Sequence, residues 1–94
     1  MAKFTVRIEL RNAESSDYDV LYDKLKTNGF SKFITSDDGS KYQMPSAEYN
    51  YSSTSKDRKE VRDLAFKIAK EINKNPAVLV TESDGRSWKG LNDA

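Results

Sequence analysis

The chain has 94 residues, 33% of them charged and 36% hydrophobic, with a net charge of +1 and an isoelectric point near 7.9. That is material for one small domain spanning residues 1–94, and the near-neutral charge argues against strong non-specific polyanion binding, so DNA is not an expected partner. With no cysteine and no histidine, disulfides, thiol nucleophiles, imidazole acid–base chemistry and most zinc sites are excluded.

Phe4, Val6, Ile8 and Leu10 alternate with Thr5, Arg7, Glu9 and Arg11, the period-two pattern of a half-buried strand. That alternation starts almost at the first residue, so no signal peptide is expected. The longest purely apolar run, Ala77 to Val80, is far short of the about 20 residues that span a bilayer. A cytoplasmic location is the simplest reading, with no membrane partner.

Ser15 or Ser16 is then suited to cap a helix, with Asp17 and Asp19 in its first turn where the dipole favours negative charge. Tyr18, Leu21, Tyr22 and Leu25 fall on one helical face, and Gly29 stands where a left-handed C-terminal residue is wanted. Ser31 to Thr35 reads as a second strand, and Ser36 to Ser40 as a turn. Lys41 to Tyr51 reads as a third strand with a bulge or kink at Pro45, because proline cannot donate to a ladder. The alternation changes parity there, from Tyr42 and Met44 to Ala47, Tyr49 and Tyr51, which leaves the face of Tyr49 and Tyr51 undecided.

A polar loop from Ser52 to Ser55 ends in a cap and leads into a second helix, about Lys56 to Asn73, whose apolar stripe is Val61, Leu64, Ala65, Ile68 and Ile72, with Phe66 off it. Ala77 to Thr81 reads as a compact buried strand, Asp84-Gly85 as a hairpin turn, and Arg86 to Leu91 as a short returning strand. The order is that of an α+β, ferredoxin-like βαββαβ two-layer sandwich, an antiparallel sheet with two helices on one face and a short extra C-terminal strand. Thr35 to Tyr42 and Thr81 to Trp88 align without gaps, matching at threonine, aspartate, glycine and a final aromatic. Each copy follows one βαβ half, where the pseudo-twofold of such a fold puts equivalent turns.

Four features bear on chemistry. Asp37-Asp38-Gly39 has two adjacent carboxylates but no regular ligand spacing, so it reads as turn chemistry and no metal or other cofactor is expected. Arg7 and Arg11 project from the polar side of the first strand with Glu9 between them. Should Tyr49 or Tyr51 share that uncovered face, the group suits single-stranded RNA, stacking bases and engaging phosphate; otherwise the tyrosines are core and the arginines pair with Glu9 and Glu48. Arg86, Trp88 and Lys89 form either a stacking or partner-binding anchor, or a plug at one end of the core or across a dimer edge. The run Lys56 to Asp63 is mixed in sign and reads as a solvated helix face. No nucleophile elbow, P-loop, dinucleotide fingerprint or zinc motif is present. An enzyme built from this chain would take its base from a carboxylate, lysine, tyrosine or metal-bound water. Arg7, Glu9, Arg11 and Glu48 are the catalytic candidates.

Several segments carry a family resemblance: Phe4 to Leu10, Asp17 to Tyr22 through Gly29-Phe30, Gly39 to Tyr51, and Val78 to Trp88. Together they span most of the chain, which resembles the GhoS family of small bacterial proteins. The resemblance implies a ferredoxin-like fold akin to small CRISPR-associated nucleases, and the role of protein antitoxin in a type V toxin–antitoxin pair. It further implies endoribonuclease action on the toxin's messenger RNA. The related nucleases place a metal-binding aspartate at the end of the first strand; here Leu10-Arg11-Asn12-Ala13 carries no carboxylate before Glu14, and no family catalytic residue is transferred. Two readings of different class follow: a ribonuclease, and a non-catalytic module that binds RNA or a protein. Both are compatible with a homodimer formed through the last strand. On either, Arg7, Arg11, Tyr49, Tyr51, Arg86 and Trp88 are the candidate RNA-binding residues.

Overall fold

A computed structural model describes residues 1–94. The chain folds as α+β, with two helices and five strands, in the order β1 (Ala2–Leu10), α1 (Ser15–Thr27), β2 (Phe33–Thr35), β3 (Lys41–Gln43), β4 (Glu48–Ser53), α2 (Arg58–Lys70) and β5 (Pro76–Ser83). β1 lies at the centre of a three-stranded antiparallel sheet, paired with β4 on one side and β5 on the other, while β2 and β3 form a separate hairpin. A single bridge joins the two: Ser31 and Asn50 exchange backbone hydrogen bonds of 2.9 and 2.6 Å.

The alternation in β1 decides which face the helices cover. Phe4, Val6, Ile8 and Leu10 are buried in one apolar cluster with Leu21 and Leu25 of α1 and with Val61, Ala65, Ile68 and Ala69 of α2. The register sets Tyr51 opposite Phe4 and Tyr49 opposite Val6, so both tyrosines face the helices. Phe66, off the stripe, is exposed.

Both helix starts lie away from the serines that suggested them. α1 is capped at Glu14, whose backbone N–H donates to Asp17 Oδ2 at 3.0 Å, and Ser15 and Ser16 are already helical. The carboxylate of Asp17 serves the same orphan donor from inside the first turn. α2 starts at Arg58, behind a reciprocal cap in which Asp57 Oδ1 accepts from the Glu60 N–H at 2.8 Å and Glu60 Oε1 from the Asp57 N–H at 3.1 Å. The end of α1 follows the glycine: the Phe30 N–H reaches the Leu25 carbonyl and the Gly29 N–H that of Lys26, with Gly29 at φ 94°. This is a Schellman stop, and buried Phe30 and Leu25 supply its apolar contact.

Two expected strands are corrected. Lys41 to Tyr51 is not one strand but β3 and β4, because Pro45 lacks a donor and Ala47 turns the chain at φ 64°, with the Glu48 N–H closing on the Pro45 carbonyl at 3.1 Å. Arg86 to Leu91 does not return along β5. It crosses the sheet instead, and the chain end runs beside β3: the Gln43 N–H donates to Asn92 at 2.8 Å and the Ala94 N–H to Lys41 at 3.1 Å. No helix is long and apolar enough to cross a membrane.

Candidate functional site

The face of the sheet away from the helices carries the odd-numbered side of β1. Lys3, Thr5, Arg7 and Glu9 stand there, flanked by their register partners Ser52, Asn50 and Glu48 on β4 and Ser83, Thr81, Leu79 and Ala77 on β5. Leu79 is largely exposed on this face. Arg7 Nη1 approaches Glu48 Oε2 at 3.7 Å, so these two candidates largely answer one another. Glu9 is exposed. Arg11 lies past the end of β1, where its Nη1 donates to the Asn75 carbonyl at 3.4 Å.

Tyr49 and Tyr51 are corrected as stacking platforms. Tyr49 is 1% exposed and Tyr51 8%, both inside the helix-covered core, where Tyr51 packs against Phe30 with ring centres 4.5 Å apart. No base reaches either ring. Burial, with Tyr18 and Tyr22 nearby, pushes the Tyr49 hydroxyl up to about 12.

The segment that fails to form a strand organises the uncovered face. Gly85, at φ 124°, releases the chain from β5, and Arg86 anchors it across the sheet. Arg86 Nη2 donates to the Phe4 carbonyl at 3.3 Å and to Asn50 Oδ1 at 2.8 Å, linking β1 and β4. Further along, Trp88 packs on Tyr42 of the hairpin, ring centres 5.8 Å apart and tilted by 59°. The final aromatics of the two echoed segments therefore meet, and Gly39 shares the positive φ of Gly85. The bridge between Tyr42 and Asp93 ties the chain end to the same hairpin. Residues 84–91 thus form a strap from the β5 edge to β3.

Two clefts open beside the strap, with Ile34, Arg86, Ser87 and Trp88 shared between them. The first, about 560 Å³, is polar and includes Lys3, Ser36, Asp37 and Ser83 in its walls. The second, about 370 Å³, is bounded by Thr5, Met44, Pro45, Glu48, Lys89 and Leu91. Ile34 is buried yet stands outside the main core, so the hairpin and strap enclose an apolar contact of their own.

Arg86 is the unusual group in these walls. The ion pairs of the molecule are Arg7–Glu48, Lys24–Glu71 and Arg62–Asp63, and none involves Arg86. Its Nε is buried without a hydrogen-bond partner, and burial holds the guanidinium below its ordinary range with no opposing carboxylate. A half-buried cation with its charge unanswered in the protein is disposed to take an anion. Across the molecule, no three carboxylates gather within reach of one metal ion.

Of the residues singled out in the sequence, the strap brings Arg86 and Trp88 together, and Glu48 joins them at the second cleft. Arg11 is held apart at the Asn75 turn. Sequence reasoning passed over Lys3, which shares the parity of Arg7 and was legible by the same alternation. It also passed over Asn50, for which no local signal exists, since its partner lies 36 residues away. No protein-family model matches the chain, and no curated protein matches it.

Proposed function

We propose that this protein is an RNA-directed, GhoS-like antitoxin of ferredoxin-like fold, engaging single-stranded RNA on the uncovered face of its sheet and cleaving a toxin messenger RNA. The observation that carries the reading is the half-buried Arg86 guanidinium, ion-paired with no carboxylate, beside the indole of Trp88 and the ammonium-bearing Lys3. Unpaired bases stack on aromatic rings while cations engage phosphate, a combination that duplex stacking denies. The Arg7–Glu48 pair borders this region through Glu48, and it supplies both a carboxylate for proton transfer and a guanidinium for a charged phosphorus centre.

A second reading has a specific observation in its favour. Arg11 is drawn to the Asn75 carbonyl, and Arg7 and Glu48 are paired, so the expected catalytic residues do not converge on one phosphate. That arrangement suits a module that binds RNA without cutting it. One experiment separates the two: incubation with a short unstructured RNA, read by a mobility-shift gel and then a denaturing gel. Retarded RNA with fragments that vanish in Arg7→Ala supports the nuclease, and retarded but intact RNA supports the binding module. RNA that runs free at all protein concentrations overturns both.

A further inference from the structure

The polar cleft has more built into it than a surface for a passing strand. Its volume of about 560 Å³ lies within the roughly 300–1,000 Å³ of small-ligand pockets. Lys3 and Arg86 line it against a single carboxylate, Asp37. The Ser83 hydroxyl is taken by the Gly85 carbonyl and that of Ser36 by Asp38, which leaves Thr35 and Ser87, the neighbour of Arg86 on the strap, as the hydroxyls in the wall without a partner. Arg86 spends only its Nη2 on protein acceptors. Trp88, held against Tyr42 of the hairpin, stands in the wall beside these groups.

We infer that this cleft receives a nucleotide phosphomonoester, with the phosphate at Lys3, Arg86 and Ser87 and the base against Trp88. A terminal phosphate carries about −1.5 to −2 charge against about −1 for an internal phosphodiester, and two cations facing a single carboxylate favour the more highly charged group. The same chemistry is carried by the phosphorylated end of an RNA and by a free nucleoside monophosphate. The RNA end is the source argued here, and on that point the inference rests on the RNA reading above.

The test measures affinities of the full chain for one unstructured oligoribonucleotide in three forms: 5′-phosphorylated, 3′-phosphorylated, and with hydroxyls at both ends. A free nucleoside monophosphate is the fourth probe. One phosphorylated form is expected to bind at least about tenfold more tightly than the hydroxyl form. The advantage should vanish in Arg86→Met, shrink in Lys3→Met and grow in Asp37→Asn. Lys3 and Asp37 are exposed, so their variants keep the test decisive if Arg86→Met fails to fold. Equal affinity for all three RNAs overturns the phosphomonoester pocket and leaves RNA binding intact. Binding of the monophosphate but of no RNA upholds the pocket and overturns the RNA reading. No binding of any probe overturns both.

Discussion

Tyr49 offers a sharp check on which side of the sheet its strand presents to the helices. Its ring is 1% exposed beneath them, and burial raises its hydroxyl from 10.0 to about 12. In the unfolded chain the hydroxyl ionises at its ordinary value, so stability is fully present below that pH and is lost as the pH rises toward about 12. A two-unit difference corresponds to about 2.7 kcal/mol when fully expressed, and about 1.4 kcal/mol of it is lost by about pH 11. Tyr49→Phe removes this linkage while keeping the ring. At about pH 8 the variant should differ from wild type by no more than about 1 kcal/mol. At about pH 11 the wild type should lose about 1.4 kcal/mol more than the variant, because lysines and the other tyrosines cancel in the comparison. Urea titrations at the two pH values read this as a relative midpoint shift of about 1 M. Identical pH dependence for both proteins would refute the placement of Tyr49 in the core.

Three further substitutions test the local devices that shape the fold. Gly29→Ala places a Cβ at φ 94° and 3.4 Å from Tyr51 Cε1, and should cost about 1–2 kcal/mol in chemical denaturation. Asp57→Ala removes the acceptor for the Glu60 N–H and should cost about 1 kcal/mol, with faster amide exchange confined to the first turn of α2. Tyr18→Phe removes the hydroxyl that accepts from the Leu10 N–H at 2.9 Å and should cost about 1 kcal/mol, with exchange at Leu10 accelerated.

The parts legible in the sequence are those whose signal is local. The alternation through Phe4, Val6, Ile8 and Leu10 identifies the central strand and its buried side, and Gly29 marks the end of α1, because each follows from a residue's own backbone needs. The caps were misread because Glu14 and Asp57 serve through partners three residues on, and nearby serines mimic that signal. Tyr49 and Tyr51 could not be assigned a face because Pro45 and Ala47 reset the parity of the strand, and the new register is set by pairing with β1. Asp84-Gly85 carries hairpin chemistry, yet the hairpin does not form: Arg86 bonds to Phe4 and Asn50, both distant in sequence. The candidate site was visible as residue types in Arg86 and Trp88, while the cleft they border depends on that crossing.

The central claim is that Arg86 is the anion-binding centre of the uncovered face, and its own Nε–H is the most direct reporter. That group is buried without an acceptor in the free protein, so its ¹H–¹⁵N correlation is expected to be distinct from those of the exposed Arg7 and Arg58. Titration with a short unstructured RNA should move this resonance together with the Trp88 indole N–H, saturating at one common affinity. Shifts confined to Arg58 and Arg62 on the solvated face of α2, with Arg86 and Trp88 unmoved, would contradict the claim.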